Sequence, residues 1–362
     1  DFNLKKEIQA LKSINGKFKI VNEDAYSSST FINQNQLQNF NPECKKFISL
    51  IRDKLNPKLV LENLNKMKNK RVLIVGETII DNYITTEAIG KSGKEPVMVV
   101  KQKKEIKFLG GVGYIANLCS SFVKETKKII FLGEKNEEKN FILKSLDKKI
   151  KYNFLSKKKS PTIVKTRYLD DYRKSKLLGV YDLNDETISK QEEKKFLNIV
   201  KDNIKKYDII IVADYGHGII TKEIRKIITK NSKKLFLNTQ INSFNRGFHT
   251  VYNYKKINSL IINDSELRYE LKDKNSNVLD LAKNLKKKLS VDNLIVTKGK
   301  WGSILINCKN WSSILCPAFS DNNIDTVGAG DTFFALSSLS IGSKLDSSLG
   351  LLISSLAASY ST

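Results

Sequence analysis

Histidine, cysteine and long apolar runs are all scarce in this sequence. Its 362 residues include two histidines, His217 and His249, and neither lies in an H-x-E, H-E-x-x-H or Cys/His arrangement, so a zinc site or a histidine-dependent triad is not expected. The four cysteines lie far apart without a C-x-x-C pair, which is typical of a reducing cytoplasm. No apolar run approaches the roughly 18 residues that span a bilayer, and the first residues lack the apolar segment of a signal peptide. The sequence therefore predicts a cytoplasmic protein with no membrane partner.

The formal net charge of +25 arises from 63 Lys and Arg against 38 Asp and Glu. Only seven of the basic residues are Arg, and the lysines are spread along the whole chain. Nucleic-acid-binding surfaces usually cluster their basic residues and use Arg where bidentate contacts are made. The charge therefore indicates a lysine-rich surface and no specific nucleic-acid partner, while a nucleic-acid-binding protein stays open as an alternative on charge alone.

The chain changes character near residue 69. Residues 1–68 are polar and rich in Asn, Lys and Gln, which predicts an appendage followed by a linker. Residues 69–362 alternate apolar runs with amphipathic stretches, and the runs lie at 72–76, 129–133, 208–213, 235–238, 260–263 and 294–297. This alternation predicts an α/β fold with a doubly wound, mostly parallel sheet and helices on both faces. The chain has no initiating Met and stops inside an apolar, helix-like run, so we expect a domain truncated at its C-terminus.

Two regions interrupt the alternation of strands and helices. Residues 83–108 and 161–181 show strand-like alternation with no helix-length segment between the pieces. They predict a small second β-sheet that projects from the main one. In an α/β enzyme such a sheet suits a lid over the ligand.

The strongest chemical signal lies at residues 325–335, which read DTVGAGDTFFA. Gly328, Ala329 and Gly330 are small enough for the backbone to approach an anion closely, and the apolar run from Thr332 predicts a helix whose positive end would face that anion. A carboxylate at Asp331 could then take a proton from an attacking hydroxyl, as phosphoryl transfer to an alcohol requires. The residues alone are equally compatible with a helix N-cap after a glycine-rich turn.

Residues 325–335 closely resemble the C-terminal signature of the ribokinase-like (PfkB) family of carbohydrate kinases. Residues 109–117, LGGVGYIAN, are similar to the N-terminal Gly-Gly signature of the same family, and the resemblance covers roughly residues 70–362. It implies a ribokinase-like fold, ATP and Mg²⁺ as cofactors, and transfer of a phosphoryl group to a sugar. It also implies a possible homodimer formed through the lid.

The resemblance implies roles for individual residues around the sugar and the phosphate. Asp331 would be the catalytic base, and the anion hole would be formed by Gly328, Ala329 and Gly330. The residues that the resemblance assigns to sugar binding are Asp81, Gly110, Gly111 and Asn117. A carboxylate suits this task, because its two oxygens can accept hydrogen bonds from vicinal hydroxyls.

Two further motifs of the family match on the nucleotide side. Asn263 and Glu266 match its N-x-x-E motif, which implies that they arrange magnesium through water. The segment with Thr297, Gly299 and Gly302 resembles the strand-to-turn motif that lines the nucleotide site. Without the resemblance, the first motif is typical of a helix cap and the second of a hairpin turn.

Within the family, residues 161–167 and 95–97 look most similar to the kinase half of bifunctional heptose kinase/nucleotidyltransferases of surface-glycan synthesis. Arg167, or Lys165, would then hold a substrate phosphate, since Arg offers a bidentate fork. Residues 16–30 resemble the tail of a cytidylyltransferase-like domain, but the H-x-G-H motif of that domain is absent, so no nucleotidyl transfer is expected. Tyr114 stands where many members have Asn, and Glu77 where Asp is frequent.

The resulting hypothesis is an ATP-dependent kinase for a sugar or sugar phosphate, with a heptose phosphate favoured, in nucleotide-sugar or surface-glycan precursor synthesis. Two alternatives remain. One is a kinase for another sugar or a nucleoside, and the other is a catalytically silent domain of the same fold that binds a sugar or nucleotide.

Overall fold

The computed structural model describes residues 41–242, 245–319 and 328–360. The chain divides into two compact units, residues 1–49 and 50–362. Residues 16–30, which resemble a cytidylyltransferase tail, lie outside the described residues. No helix in the described ranges combines the length and apolarity needed to cross a membrane.

Thirteen strands and ten α-helices are described. The strands are β1 (Arg71–Gly76), β2 (Thr78–Lys91), β3 (Met98–Gly111), β4 (Glu125–Gly133), β5 (Lys151–Lys157), β6 (Val164–Asp170), β7 (Lys176–Asp182), β8 (Ile209–Asp214), β9 (Leu235–Thr239), β10 (Lys256–Asn263), β11 (Ser290–Thr297), β12 (Ser303–Asn307) and β13 (Ser313–Cys316). The helices are α1 (Pro42–Leu50), α2 (Pro57–Lys68), α3 (Val112–Ser120), α4 (Lys139–Ser145), α5 (Lys190–Ile204), α6 (Lys222–Asn231), α7 (Asp264–Leu271), α8 (Val278–Lys288), α9 (Ala329–Gly342) and α10 (Ser347–Tyr360).

The main sheet has the order β13-β12-β11-β10-β9-β8-β1-β4-β5. All pairings from β11 to β5 are parallel, and β12 and β13 add antiparallel pairs at one edge. The central strands are buried on both sides, because the helices α5, α6 and α8 pack on one face and α3 and α9 on the other. The predicted doubly wound, mostly parallel sheet is confirmed.

The predicted lid is confirmed as a separate four-stranded sheet with the order β3-β2-β6-β7. The outer pairs are antiparallel, and β2 and β6 run parallel. A single residue separates the end of β1 from the start of β2, so the lid is joined directly to the centre of the main sheet. Every residue of β7 is exposed.

The unit boundary falls earlier in the chain than the predicted domain boundary at 68/69. Residues 50–68 belong to the larger unit and contain a 3-10 turn, Arg52–Leu55, followed by α2. Asn56 caps α2 and Pro57 occupies its first turn, which is a favourable start for a helix. Lys54 forms an ion pair of 3.0 Å with Asp346. The assignment of residues 1–68 as an appendage stays a prediction.

Candidate active site

Asp331 lies in the first turn of α9, directly after the glycine-rich segment. Gly328 precedes the helix with a φ of 92°, which an L side chain rarely adopts. A Cβ added to Gly328 or Gly330 would meet no atom of the described residues within 4 Å. The first N–H groups of a helix have no intrahelical partner and form its positive end, so this open helix start can receive an anion.

The Asp331 carboxylate is held by a tyrosine from the neighbouring part of the main sheet. The Tyr215 hydroxyl donates to Oδ1 of Asp331 over 2.9 Å, and Tyr215 is buried just after β8. Burial raises the pKa of Asp331 to about 6, with the nearby Asp81 charge acting in the same direction and the Tyr215 hydrogen bond opposing it. A carboxylate with this pKa is ionised at neutral pH and is more basic than an ordinary aspartate, which suits a general base.

Asp81 lies on β2 at the base of the lid and is paired with Arg167. Nη1 of Arg167 donates to Oδ1 of Asp81 over 2.5 Å, and both side chains are about 15% exposed. The guanidinium also lies over the Tyr83 ring, 5.5 Å from its centroid. One Asp81 oxygen is thus engaged by the protein, and Arg167 keeps further N–H groups for a ligand.

Lys165 completes a group of four charged side chains at the junction of the lid and the main sheet. It is opposite Asp81 in the β2–β6 register and only 8% exposed. Burial lowers its pKa, whereas the charges of Asp81 and Asp331 act to raise it. Because two carboxylates and two cations converge here, Asp81, Lys165, Arg167 and Asp331 form one electrostatic cluster, which we call the charged junction.

The Gly-Gly pair makes room for this cluster. A Cβ on Gly110 would lie 2.1 Å from Oδ2 of Asp81, and one on Gly111 would lie 2.6 Å from the Glu77 carbonyl oxygen. Gly111 also has a φ of 55°. Both glycines therefore have a structural reason to be there, and their contact with a sugar stays a prediction.

Tyr215 and the anchoring role of Glu77 were not foreseen from the sequence. Glu77 accepts hydrogen bonds from the backbone N–H groups of Tyr215 and His217 at 3.0 and 3.1 Å, which fixes the segment after β8. Burial, followed by the Asp214 charge, raises the pKa of Glu77 to about 8. The sequence contained a signal for both residues, because each directly follows the end of an apolar strand. Residues in that position commonly line the ligand site of an open α/β sheet.

Tyr114 and Asn117 both lie on α3 and have different surroundings. The Tyr114 hydroxyl is 2.8 Å from the Thr332 hydroxyl, next to Asp331 in the chain. The Asn117 side chain donates to the Ser145 carbonyl over 2.8 Å and accepts from the Asp147 N–H over 3.0 Å. The Asn117 amide is therefore occupied in holding α3 to the end of α4, and the structure does not bring it into the charged junction.

Asn263 and Glu266 form a capping box at the start of α7. Asn263 accepts from the Ser265 N–H over 2.8 Å, and Glu266 accepts from the N–H groups of Asn263 and Ile241 over 3.2 and 3.1 Å. Each Glu266 oxygen thus accepts one backbone hydrogen bond and keeps a further lone pair for a water molecule or a metal ion. Within the described ranges, no group of three or more His, Cys, Asp or Glu side chains is placed to hold a metal.

Thr297, Gly299 and Gly302 form the connection between β11 and β12. Gly302 has a φ of 81°, and a Cβ there would lie 2.1 Å from the Cys316 carbonyl oxygen, so a side chain is excluded. Thr297 is the register partner of Asn263 on β10. The two segments that resemble the metal and nucleotide motifs are therefore adjacent at the carboxyl ends of neighbouring parallel strands, where open α/β sheets bind ligands.

A parallel sheet that carries a lid, with an acidic side chain at an open helix start beside the junction of the two, is an arrangement typical of an α/β enzyme. The family described as "pfkB family carbohydrate kinase" matches residues 69–349. Since this is well over half of the chain, the chain belongs to the pfkB family of carbohydrate kinases.

Among curated proteins, the chain is 28% identical over 302 residues to the bifunctional protein HldE of Aliarcobacter butzleri, and the alignment covers 80% of the chain and 60% of that protein. It is 27% identical over 290 residues to HldE of Campylobacter jejuni strain RM1221, covering 79% of the chain and 59% of that protein. The chain thus spans about 60% of the length of these relatives.

The solved structures that resemble the chain share its fold. Arabidopsis thaliana ribokinase complexed with ribose and ATP has a TM-score of 0.59 at 18% identity, covering 80% of this chain and 92% of that one. Phosphofructokinase-2 from Escherichia coli in complex with fructose-6-phosphate has a TM-score of 0.62 at 13% identity, covering 81% and 94%. The predicted ribokinase-like fold is confirmed.

Proposed function

We propose that the chain transfers the γ-phosphoryl group of ATP to a hydroxyl of a sugar phosphate, with Asp331 as the base. The observation that carries this proposal is the position of Asp331. It lies at the open start of α9, its pKa is raised to about 6, and it shares the charged junction with Asp81. In the reaction, a sugar hydroxyl loses its proton to Asp331 as its oxygen bonds to the γ-phosphorus, and ADP leaves.

The other residues bind and orient the reacting groups. The N–H groups at Gly328, Ala329 and Gly330 stabilise the negative charge of the transferring phosphoryl group, and the free oxygen of Asp81 accepts from sugar hydroxyls. Tyr215 holds the Asp331 carboxylate in one orientation.

On the nucleotide side, Thr297, Gly299 and Gly302 line the ATP site. Asn263 and Glu266 would hold a hydrated magnesium ion. When bound, magnesium would offset the charge of the ATP phosphates.

Two observations favour a phosphorylated sugar, and within that class a heptose phosphate. Lys165 and Arg167 place two cations on the lid strand beside the sugar-binding carboxylate, and a substrate phosphate would pair with them. The relatives at 27–28% identity are HldE proteins, which supports a role in nucleotide-sugar or surface-glycan precursor synthesis. A kinase for an unphosphorylated sugar or a nucleoside would have less use for the two cations.

The assay is ADP release with a panel of sugars, nucleosides and their phosphates, including a heptose and its phosphate. We expect the phosphorylated heptose to have the highest kcat/KM, and Asp331→Asn to reduce kcat by at least about a hundredfold. Activity of Asp331→Asn near the parent rate would show that the base is wrongly assigned. Absence of turnover with every compound would favour the silent binding domain.

Lys165→Gln tests the recognition of the substrate phosphate. It should raise KM for the sugar phosphate about tenfold or more while changing KM for ATP little, because a buried charge contact to a phosphate is lost. Lys104→Gln is the matched control, since Lys104 is an exposed lysine on the lid strand β3. An equal effect of both substitutions would contradict the phosphate contact.

The lid is also the proposed contact between two copies of the chain. Its edge strand β7 is exposed throughout, and Leu178 and Val180 are 59% and 51% exposed on alternate positions of one face. Such an apolar face is typical of an interface. Leu178→Glu should convert a dimer to a monomer in light scattering, and Leu315→Glu, at an equally exposed site outside the lid, should not.

A further inference from the structure

A groove lies at the amino-terminal ends of strands β9 and β10, whereas the candidate active site lies at the carboxyl ends of the strands. Its walls are formed by helix α6, by Leu235 at the start of β9 and by residues between 253 and 258, just before and within the start of β10. Asn263 and Tyr215, in contrast, lie at the carboxyl ends of β10 and β8. The cavity volume of about 620 Å³ is within the range of small-molecule sites.

The groove is strongly basic. Seven of its 12 lining residues are Lys or Arg, among them Lys222, Arg225 and Lys230, and none is Asp or Glu. In the described part of the chain, carboxylates come within 4 Å of only two of the seven cations, at 3.7 and 3.8 Å. Clustered like charges repel one another and concentrate oppositely charged ligands, so the groove is suited to an anion with several charges.

The lining also indicates which kind of anion would bind. No lining residue is aromatic, so a nucleobase would find no ring for stacking. The lysine ammonium groups can recognise phosphates as point charges. The Arg225 guanidinium is oriented by the hydrogen bond that its Nη1 donates to the Ile220 carbonyl, and its other N–H groups can donate to a ligand.

The groove wall also contains an unused hydrogen-bonding group. The Thr229 hydroxyl lies in the wall, buried and without a hydrogen-bond partner among the described residues. A Thr in a helix has two accessible χ1 rotamers, so this hydroxyl can turn towards a ligand without a change in the backbone.

We propose that this groove is a second ligand site, separate from the kinase site, for a small anion that carries several phosphoryl groups and is recognised without a nucleobase. Binding of such an anion would also involve several of the many lysines that have no role in the kinase reaction. Inorganic tripolyphosphate is the simplest probe of this class.

The test is calorimetric titration of the whole chain with tripolyphosphate at about 0.15 M salt in magnesium-free buffer with saturating ADP, which, on the proposed function, would occupy the kinase site. We expect one equivalent to bind. Lys255→Glu with Lys256→Glu, both exposed groove residues, should weaken binding at least about tenfold. The matched control is Lys148→Glu with Lys149→Glu, an exposed adjacent pair outside the groove with the same charge change, which should leave binding near the parent value.

Three results would overturn the proposal. Binding weaker than about 1 mM would mean that the groove has no useful affinity. Loss of binding in the presence of ADP would place the anion in the kinase site. Equal weakening by the two double substitutions would assign the effect to the overall surface charge. Lys230→Gln, a single neutral change on α6, serves as a second groove variant if the double reversal impairs folding.

Discussion

Replacing Tyr215 with Phe removes the hydroxyl that donates to the Asp331 carboxylate at 2.9 Å. This hydrogen bond opposes the effect of burial on the pKa of Asp331, which is about 6. A hydrogen bond to a charged group contributes about 1.5–3 kcal/mol, and one pKa unit corresponds to about 1.36 kcal/mol. The pKa of Asp331 in Tyr215→Phe should therefore rise by about 1–2 units.

The consequence is a change in pH dependence rather than a uniform loss of activity. A general base must be ionised, so kcat/KM of the parent protein should rise with pH and level off above a pKa near 6. In Tyr215→Phe the same rise should occur near pH 7–8, about 1–2 units higher. At pH 6.5 the variant should be about tenfold slower, and at pH 9 it should approach the parent.

The assay is ADP release at saturating ATP between about pH 5.5 and 9, with the best sugar of the panel. Asp81 and Lys165, the other charged groups that act on Asp331, are untouched by the substitution. Tyr207→Phe is the matched control, because Tyr207 donates over 2.6 Å to a different carboxylate, that of Glu125. An unshifted rise in Tyr215→Phe would refute the reasoning, as would an equal shift in Tyr207→Phe.

Three further substitutions test the packing around the site. Gly110→Ala would place a Cβ 2.1 Å from Oδ2 of Asp81, so KM for the sugar should rise about tenfold or more in steady-state kinetics while KM for ATP changes little. Gly302→Ala, at a φ of 81° and 2.1 Å from the Cys316 carbonyl oxygen, should lower the free energy of unfolding in urea by roughly 2 kcal/mol or more. Glu77 keeps its proton in the folded chain up to a pKa of about 8 but loses it near 4.5 when unfolded, so its contribution to stability falls as pH rises from about 4.5 to 8. Glu77→Gln should flatten this part of the denaturation profile.

Gly93→Ala is a common control for the two glycine substitutions, because a Cβ there meets no atom of the described residues within 4 Å and the backbone is not in the positive-φ region. It should alter neither KM nor stability. An unchanged sugar KM in Gly110→Ala would mean that Asp81 has another position available. A pH profile of Glu77→Gln parallel to that of the parent would show that Glu77 is ionised in the folded protein.

The fold could be predicted from the sequence where burial is strong on both faces of a strand. Runs such as residues 72–76 and 208–213 are continuously apolar, because parallel strands between two helical layers contact no water. The edge strands β12 and β13 were not predicted. They are five and four residues long, and β12 pairs with β11 and β13 at the edge of the sheet, so their sequence pattern is too short to indicate a sheet position.

The site was predictable where local backbone chemistry defines it. The small residues before Asp331 predict an open helix start, and the structure has one. Tyr215 was missed because its contact with Asp331 spans 116 positions, so no local pattern reports it. For Asn263 and Glu266 a local pattern is present but has two meanings. The tetrapeptide that resembles a magnesium motif also forms the hydrogen bonds of a capping box.

Strand β2 carries both the sugar-binding candidate Asp81 and, ten residues later, the outer end of the lid at Lys91. It is hydrogen-bonded to β3 along most of its length and to β6 from Ile80 to Thr86, so a rotation of β2 about its start near Glu77 would carry the lid with it as a lever. A ligand that draws Asp81 towards Asp331 would swing the far end of this lever several times further. Small differences in substrate size near Asp81 would then produce larger displacements at the outer end of the lid. The extent to which the lid closes would depend on how well the sugar fits.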